Sequence, residues 1–279
     1  MQELVMTLDC PDRPGIVHAL TGSIVAARGN ITELQQFSSP DSGRFFTRIA
    51  VEGASLEGLR ARVAEVADGL GATFQVHDAS RPTRTLVLAS KAGHCVNDLL
   101  FRWRAGELPV DIVGIMANHE VLASMAQFYG IPFTHRVVLP ETKADFEAEV
   151  LRVVEEQQVE LVVLARYMQI LSPELCERLA GRAINIHHSF LPGFKGANPY
   201  RQAHTRGVKL IGATAHFVTS DLDEGPIIEQ NVVRVDHTMS VAKLVRKGQA
   251  QESQTLAEAV RLFAEHRVLS DGHRTVIFR

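Results

Sequence analysis

"LVVLARYMQILSPELCERLAGRAINIHHS", residues 161–189, shows the fold in miniature. It opens and closes on short apolar, β-branched runs, "LVVLAR" and "AINIHHS", without strict apolar–polar alternation. Runs of that kind are strands covered on both faces, as in parallel sheets. Between them "SPELCERLAG" reads as a helix, with Ser172 as N-cap, Pro173 at the first helical position and Gly181 to end it. The same rhythm continues on either side. "TLVLAS", "DIVGIMAN" and "IGATAHFV" are further buried-type strands, and "VNDLLFRWRAG", "HEVLASMAQFYG" and "KADFEAEVLRVVEEQQ" are helical patterns. Strands alternating with helices mean a mostly parallel sheet in an α/β domain, with its site at the carboxyl ends of strands.

Upstream the pattern differs. "ELVMTLDC" is a strand, and Val17, Leu20, Ile24 and Ala27 then recur at helical spacing with Gly29 as a natural stop. "NITELQQFSS" and "GRFFTRIAVEG" are strands joined by the turn signal "SPDSG", followed by the helix "SLEGLRARVAEVADGLG" and the strand "TFQVHDA". This βαββαβ order is that of a ferredoxin-like unit. The polar, Pro-containing stretch "DASRPTRT" is the linker candidate. The expected organisation is a ferredoxin-like domain over 1–80, a linker over 81–85 and a Rossmann-like α/β domain over 86–279.

Composition bounds the function. The 279 residues suggest about two domains, and 46% hydrophobic with 22% charged residues is ordinary for a globular protein. With a net charge of −3 and no basic–aromatic cluster, nucleic acid is not an expected partner. "MQELVMTLDCPDRPG" lacks the basic start and apolar run of a signal peptide, and no stretch approaches the roughly 20 apolar residues of a membrane span. Cys10, Cys95 and Cys176 lie far apart without CxxC spacing, which points to reduced thiols and a cytoplasmic setting.

The chemistry-bearing residues follow one of the buried strands. In "AINIHH", Asn185 and His187 are two apart and share a face, while Ile186 and His188 share the other. The strand "GATAHFV" breaks into "TSDLDEGPI", bringing Asp221, Asp223 and Glu224 to another strand end. Asn, His and Asp converging in a cleft suit acyl chemistry. Amide and imidazole N–H groups stabilise an oxyanion, and a carboxylate orients a nucleophile and supports imidazolium. The plainer reading is a polar strand end, with Asp221 and Glu224 forming the turn and His188 structural. Adjacent strand residues cannot ligate one ion, and the other histidines lack ligand spacing, so no metal is expected.

"INIHHSFLPGFKGANPY" with "GATAHFVTSDLDEGPI" resembles the signature pair of the folate-dependent formyltransferase superfamily, and "LVVLARYMQILSP" resembles its folate-pocket strand and loop. "DCPDRPGIVHALTGSI" with "GNITELQQFSSPDSGRFFTRI" resembles an ACT regulatory domain. "SKAGHCVNDLLFRWRAGEL" and "GANPYRQAHTRGVKLIGATAH" are similar to the formyltetrahydrofolate deformylases, and the likeness spans essentially the whole chain. The resemblance implies Asn185, His187 and Asp223 as catalytic residues. It implies Arg166, Tyr167, Met168 and Ile170 as the lining of the folate pocket, although Met and Ile at a strand end also suit plain core packing. It further implies hydrolysis of 10-formyltetrahydrofolate to tetrahydrofolate and formate, with formate feeding purine synthesis, folate as substrate and no cofactor. The chain departs from the family before its final helix, where "KGQAQES" stands in place of a Gly-Arg-Asp-like run, which puts in doubt a local Arg or Asp contact near Gln249 and Ala250.

The acceptor separates hydrolase from transferase. Transferases that formylate a phosphorylated sugar amine hold the phosphate on a Gly-rich turn at a helix start. Here the corresponding "ASKAGHCVND" has one Gly, with Lys91 the only cation, so water becomes the natural acceptor. Formyl transfer to an amine, and an amino-acid sensor whose back domain binds folate but has lost activity, are the competing readings. In the front domain Asp12, Arg13, Pro14 and Gly15 form a turn before a helix start, which suits the carboxylate and ammonium of a small amino-acid effector as well as it suits a plain connection. The ACT resemblance implies such an effector and a homo-oligomer.

Overall fold

The computed structural model describes residues 3–191, 193 and 199–279, so part of the loop "LPGFKGAN" lies outside the described residues. The chain forms two units, 1–82 with Glu265–Arg279, and Thr83–Ala264. The sequence expectation ended the first domain near 80 and gave everything to the C-terminus to the second. The structure instead places 265–279 with the first unit.

The first unit contains β1 (Glu3–Pro11), α1 (Ile16–Ala26), β2 (Asn30–Ser39), β3 (Arg44–Glu52), α2 (Leu56–Leu70) and β4 (Thr73–Asp78). The strands form one antiparallel sheet in the order β2-β3-β1-β4. Leu20 and Ile24 of α1 and Leu59 and Val63 of α2 pack on Leu4, Met6 and Leu8 of β1. Gly29 is not the left-handed residue that ends α1. Arg28 takes that conformation at φ 60°, and Gly29 N donates to Ile24 O at 2.9 Å in a Schellman-type closure. Gly29 is needed for space, because a Cβ there would lie 2.6 Å from Val51 Cγ1.

The second unit contains β5 (Thr83–Ala89), α3 (His94–Arg104), β6 (Val110–Ala117), α4 (Ala123–Tyr129), β7 (Phe133–His135), α5 (Lys143–Glu156), β8 (Leu161–Ala165), α6 (Pro173–Arg178), β9 (Ala183–His187), α7 (Pro199–Arg206), β10 (Leu210–Phe217), β11 (Ile227–Arg234) and α8 (Val241–Ala264). The seven-stranded sheet has the order β11-β10-β9-β8-β5-β6-β7. β5 to β9 are parallel, and β10 and β11 are antiparallel additions at one side. Every residue of β8 is buried, as its unalternating sequence requires. Ser172 caps α6 by accepting from Leu175 N at 3.2 Å, and Gly181 is left-handed at φ 72°.

The chain then returns to the first unit as a hairpin, β12 (Val268–Asp271) and β13 (Arg274–Ile277). Gly272 supplies the positive φ, 63°, of a two-residue hairpin turn. Leu269 and Phe278 close over Phe46 of β3. Glu33 pairs with both Arg48 and Arg267, and His266 stacks on His77 at 3.6 Å between ring centroids.

Candidate active site

Strand pairing places the first two groups. β9 runs parallel to β8, and β10 runs antiparallel to β9 with His216 opposite Asn185 and Thr214 opposite His187. Asn185 Nδ2 donates to His216 Nε2 at 3.3 Å, while His216 Nδ1 donates to Phe217 O at 2.8 Å. One ring nitrogen donating to a carbonyl leaves the other as acceptor, so the amide of Asn185 is oriented by a neutral His216. Burial, the largest influence, lowers the His216 pKa, with the bond to Phe217 O opposing it.

Asp223 arrives by a less direct route. Because β10 is antiparallel, its last residue Phe217 pairs with Ile184, toward the amino end of β9. The loop 218–226 must therefore turn back. Phe217 N donates to Pro226 O at 2.9 Å, and a Cβ on Gly225 would lie 1.8 Å from Phe217 O, so only glycine fits. Asp221 O accepts from Thr219 Oγ1 at 3.0 Å and from Glu224 N at 3.3 Å, so Asp221 helps to form the turn. Asp223 itself is left-handed at φ 59°, a costly conformation for a non-glycine residue that is common at functional sites.

This arrangement sets Asp223 Oδ1 3.0 Å from His187 Nδ1. The hydrogen bond from His187 is the largest influence holding the Asp223 carboxyl below its ordinary pKa, against burial. His216 Nε2 is 3.8 Å from the same oxygen, too far for a hydrogen bond. His187 is 6% exposed, and its Nε2 is buried without a partner among the described residues.

Asn185, His187 and Asp223 line a cavity of about 680 Å³, the size of a small-molecule site. Arg166, Tyr167, Met168 and Ile170 line it too. They differ in placement. Met168 and Ile170 are largely exposed, whereas Tyr167 is mostly core and packs on Phe146. Met168 N donates to Ser90 Oγ at 2.9 Å, which ties the loop after β8 to the end of β5. His188 follows β9 rather than belonging to it, and it also lines the cavity. Burial, then the charge of Arg166, pulls its pKa down to about 4.

The sequence reading missed four residues: His216, His94, Tyr200 and Glu252. His94 Nε2 meets Glu252 Oε2 at 2.7 Å, and Tyr200 OH donates to Glu252 Oε1. Gly248 makes room for the Tyr200 ring, since a Cβ there would lie 2.1 Å from Tyr200 OH. The visible signal was a glutamate on the apolar face of an amphipathic helix, four residues after a glycine. Gln249, where the sequence departs from the family pattern, lines the cavity, while Ala250 is exposed. Among the described residues, His94, Cys95 and Glu252 form the only group of three metal-ligand types within reach of one another. Its carboxylate already accepts from two partners beside Arg166, and burial pushes the Cys95 thiol pKa up.

The turn Asp12–Gly15 belongs to the first unit and is exposed. Gly15, at φ 95°, caps α1 without a side-chain bond. Asp12 N donates to Gly43 O at 2.9 Å, and Arg13 donates to Gly69 O.

A ferredoxin-like antiparallel sheet followed by a mostly parallel sheet whose polar strand end lines a ligand-sized cavity is the architecture of a small βαββαβ module joined to an α/β ligand-binding domain. Comparison with known families agrees: the ACT domain family matches residues 5–68 and the formyl transferase family residues 83–260. A formyltetrahydrofolate deformylase from Corynebacterium sp. (strain P-1) is 47% identical over 279 residues, covering 99% of this chain and 98% of that protein. The crystal structure of a formyltetrahydrofolate deformylase from Burkholderia mallei superposes with a TM-score of 0.97 at 50% identity, covering 100% of both chains. A glycinamide ribonucleotide transformylase from Symbiobacterium toebii reaches a TM-score of 0.67 at 33% identity, over 74% of this chain and 97% of that one. The chain belongs to the formyltetrahydrofolate deformylase family.

Proposed function

We propose that this protein hydrolyses 10-formyltetrahydrofolate to tetrahydrofolate and formate, with Asn185, His187 and Asp223 as the catalytic residues. The observation that carries the assignment is the His187–Asp223 pair at 3.0 Å, with His187 Nε2 unpartnered on a cavity shared with Asn185. Asp223, held ionised, supports His187 as imidazolium, so that Nε2–H donates to the developing oxyanion. The Asn185 amide, turned by His216, is the second donor. Water hydrogen-bonded to Asp223 attacks the formyl carbon. The new C–O bond gives a tetrahedral oxyanion, whose collapse restores the carbonyl as the C–N bond breaks; one water proton passes by way of Asp223 or His187 to the folate nitrogen, and the other is released when formic acid ionises. Arg166, Tyr167, Met168 and Ile170 bind the folate, which is a substrate rather than a cofactor.

Water as acceptor is favoured over an amine on a phosphorylated sugar. The turn that opens α3, "ASKAGHCVND", has one Gly, and the first residue of the helix, His94, is already engaged by the carboxylate of Glu252. Formate release from the purified protein alone tests the reading. Asp223→Asn, His187→Ala and Asn185→Ala should each lower kcat by roughly 10²-fold or more with the melting profile kept. Near-normal turnover in one of them removes that residue from the scheme, and formate release only after an amine is added restores the transferase reading.

The formate would supply purine synthesis and balance folate one-carbon pools in the cytoplasm. No helix among the described residues is long and apolar enough to cross a membrane. The turn Asp12–Gly15 binds a small amino-acid effector, and the first unit mediates homo-oligomer assembly. Calorimetry with a panel of amino acids tests the effector role, and the absence of both heat and kinetic effect leaves assembly alone.

A further inference from the structure

Glu252 of α8 is 1% exposed, yet the hydrolytic scheme makes no use of it. A carboxylate this deep is costly unless its charge is matched and its lone pairs are filled. His94 and Tyr200 fill one site on each oxygen, and Arg166 Nε stands 3.3 Å from Oε2. These partners come from three separate places: the start of α3, the loop after β8 and the first turn of α7. Burial, the largest influence, works to raise the carboxyl pKa. The His94 hydrogen bond, the Arg166 charge and the Tyr200 hydrogen bond outweigh it, and the net shift is downward.

Arg166 is the member of this group that can read a ligand. It lines the cavity, its side chain is 16% exposed, and its backbone is left-handed at φ 61°. Its Nε faces Glu252 without hydrogen-bond geometry. No described residue accepts from its two Nη nitrogens. A guanidinium whose inner edge is neutralised and whose outer fork is unsatisfied suits acceptor oxygens of a bound molecule.

We propose that Glu252 is a positioning residue for the folate pocket. It neutralises Arg166 and holds the guanidinium beside the cavity, with both Nη groups left for acceptor atoms of the substrate. The proposal rests on the folate-hydrolysis reading. It also explains why Gly248 is required, since any side chain there would drive the Tyr200 ring off the carboxylate.

A double-mutant cycle on the full-length chain tests it, with Glu252→Gln, Arg166→Ala and the pair measured for kcat, KM and calorimetric tetrahydrofolate affinity. The Gln variant should raise KM and the tetrahydrofolate Kd about tenfold while kcat changes less than about threefold. In the Arg166→Ala background the same substitution should add less than about twofold, because the interaction it serves is already gone. Equal losses in both backgrounds, or a fall in kcat at constant KM, overturn the proposal. If the Gln variant does not fold, Tyr200→Phe answers in its place. A KM increase that vanishes without Arg166 supports the role, and an unchanged KM refutes it. If the wild-type protein releases no formate, the hydrolytic reading fails by itself, and the tetrahydrofolate affinities still decide the role of Glu252.

Discussion

At the scale of single residues, the site depends on backbone conformations that most side chains avoid. Asp223 and Arg166 both lie in the left-handed region, and Gly225 is packed against Phe217 O. Gly225→Ala should therefore displace the loop that carries Asp223. Since about 1 Å of misplacement can cost roughly 10²-fold in rate, kcat for formate release should fall by about that factor in a protein that still melts cooperatively. Retention of more than about half the activity would mean that the loop has another way to close. The grouping of Asn185, His187 and Asp223 was legible because these residue types lie in two short motifs. Glu252, His94 and Tyr200 were not, because each is an unremarkable residue in its own helix and acquires a role only from its partners.

At the scale of elements, the C-terminal hairpin is the main departure from expectation. Its "SDGHRT" turn carries a legible signal, but nothing local says which sheet it covers. It stacks the half-buried His266 on His77 and beside Arg48, and loss of solvent, the largest influence, lowers the His266 pKa to about 3. A histidine whose folded pKa is depressed favours the folded state above its unfolded value, near 6.5, and that stability is lost as pH falls toward about 3. His266→Asn, which tolerates the positive φ of 55°, should flatten the acid dependence of first-unit stability. The slope removed is at most about 1.4 kcal/mol per pH unit, and chemical denaturation from pH 7 to pH 4 would read it. An unchanged slope would show that the ring is not held as a neutral group.

At the scale of the whole molecule, the chain leaves the first unit near Pro82, builds the second and comes back after Ala264. The first unit is therefore incomplete until residues 265–279 have been made. Phe278 is 5% exposed against a fully buried Phe46, so Phe278→Ala should destabilise the first unit by about 3 kcal/mol or more. The expected readout is a lower first-unit transition in calorimetry. A first-unit transition at the wild-type temperature would show that the hairpin contributes little to it.

The sequence by itself determined both fold classes, the order of the units and the Asn–His–Asp trio, because apolar periodicity, cap residues and short motifs are local properties of the chain. Only the tertiary structure decided that β10 runs antiparallel, so that Asp223 must come back over a glycine. It also decided that α8 brings a buried carboxylate to the cavity and that residues 265–279 complete the first unit. These are pairings between residues distant in the chain. They are settled by which surfaces bury one another, and no local pattern encodes that.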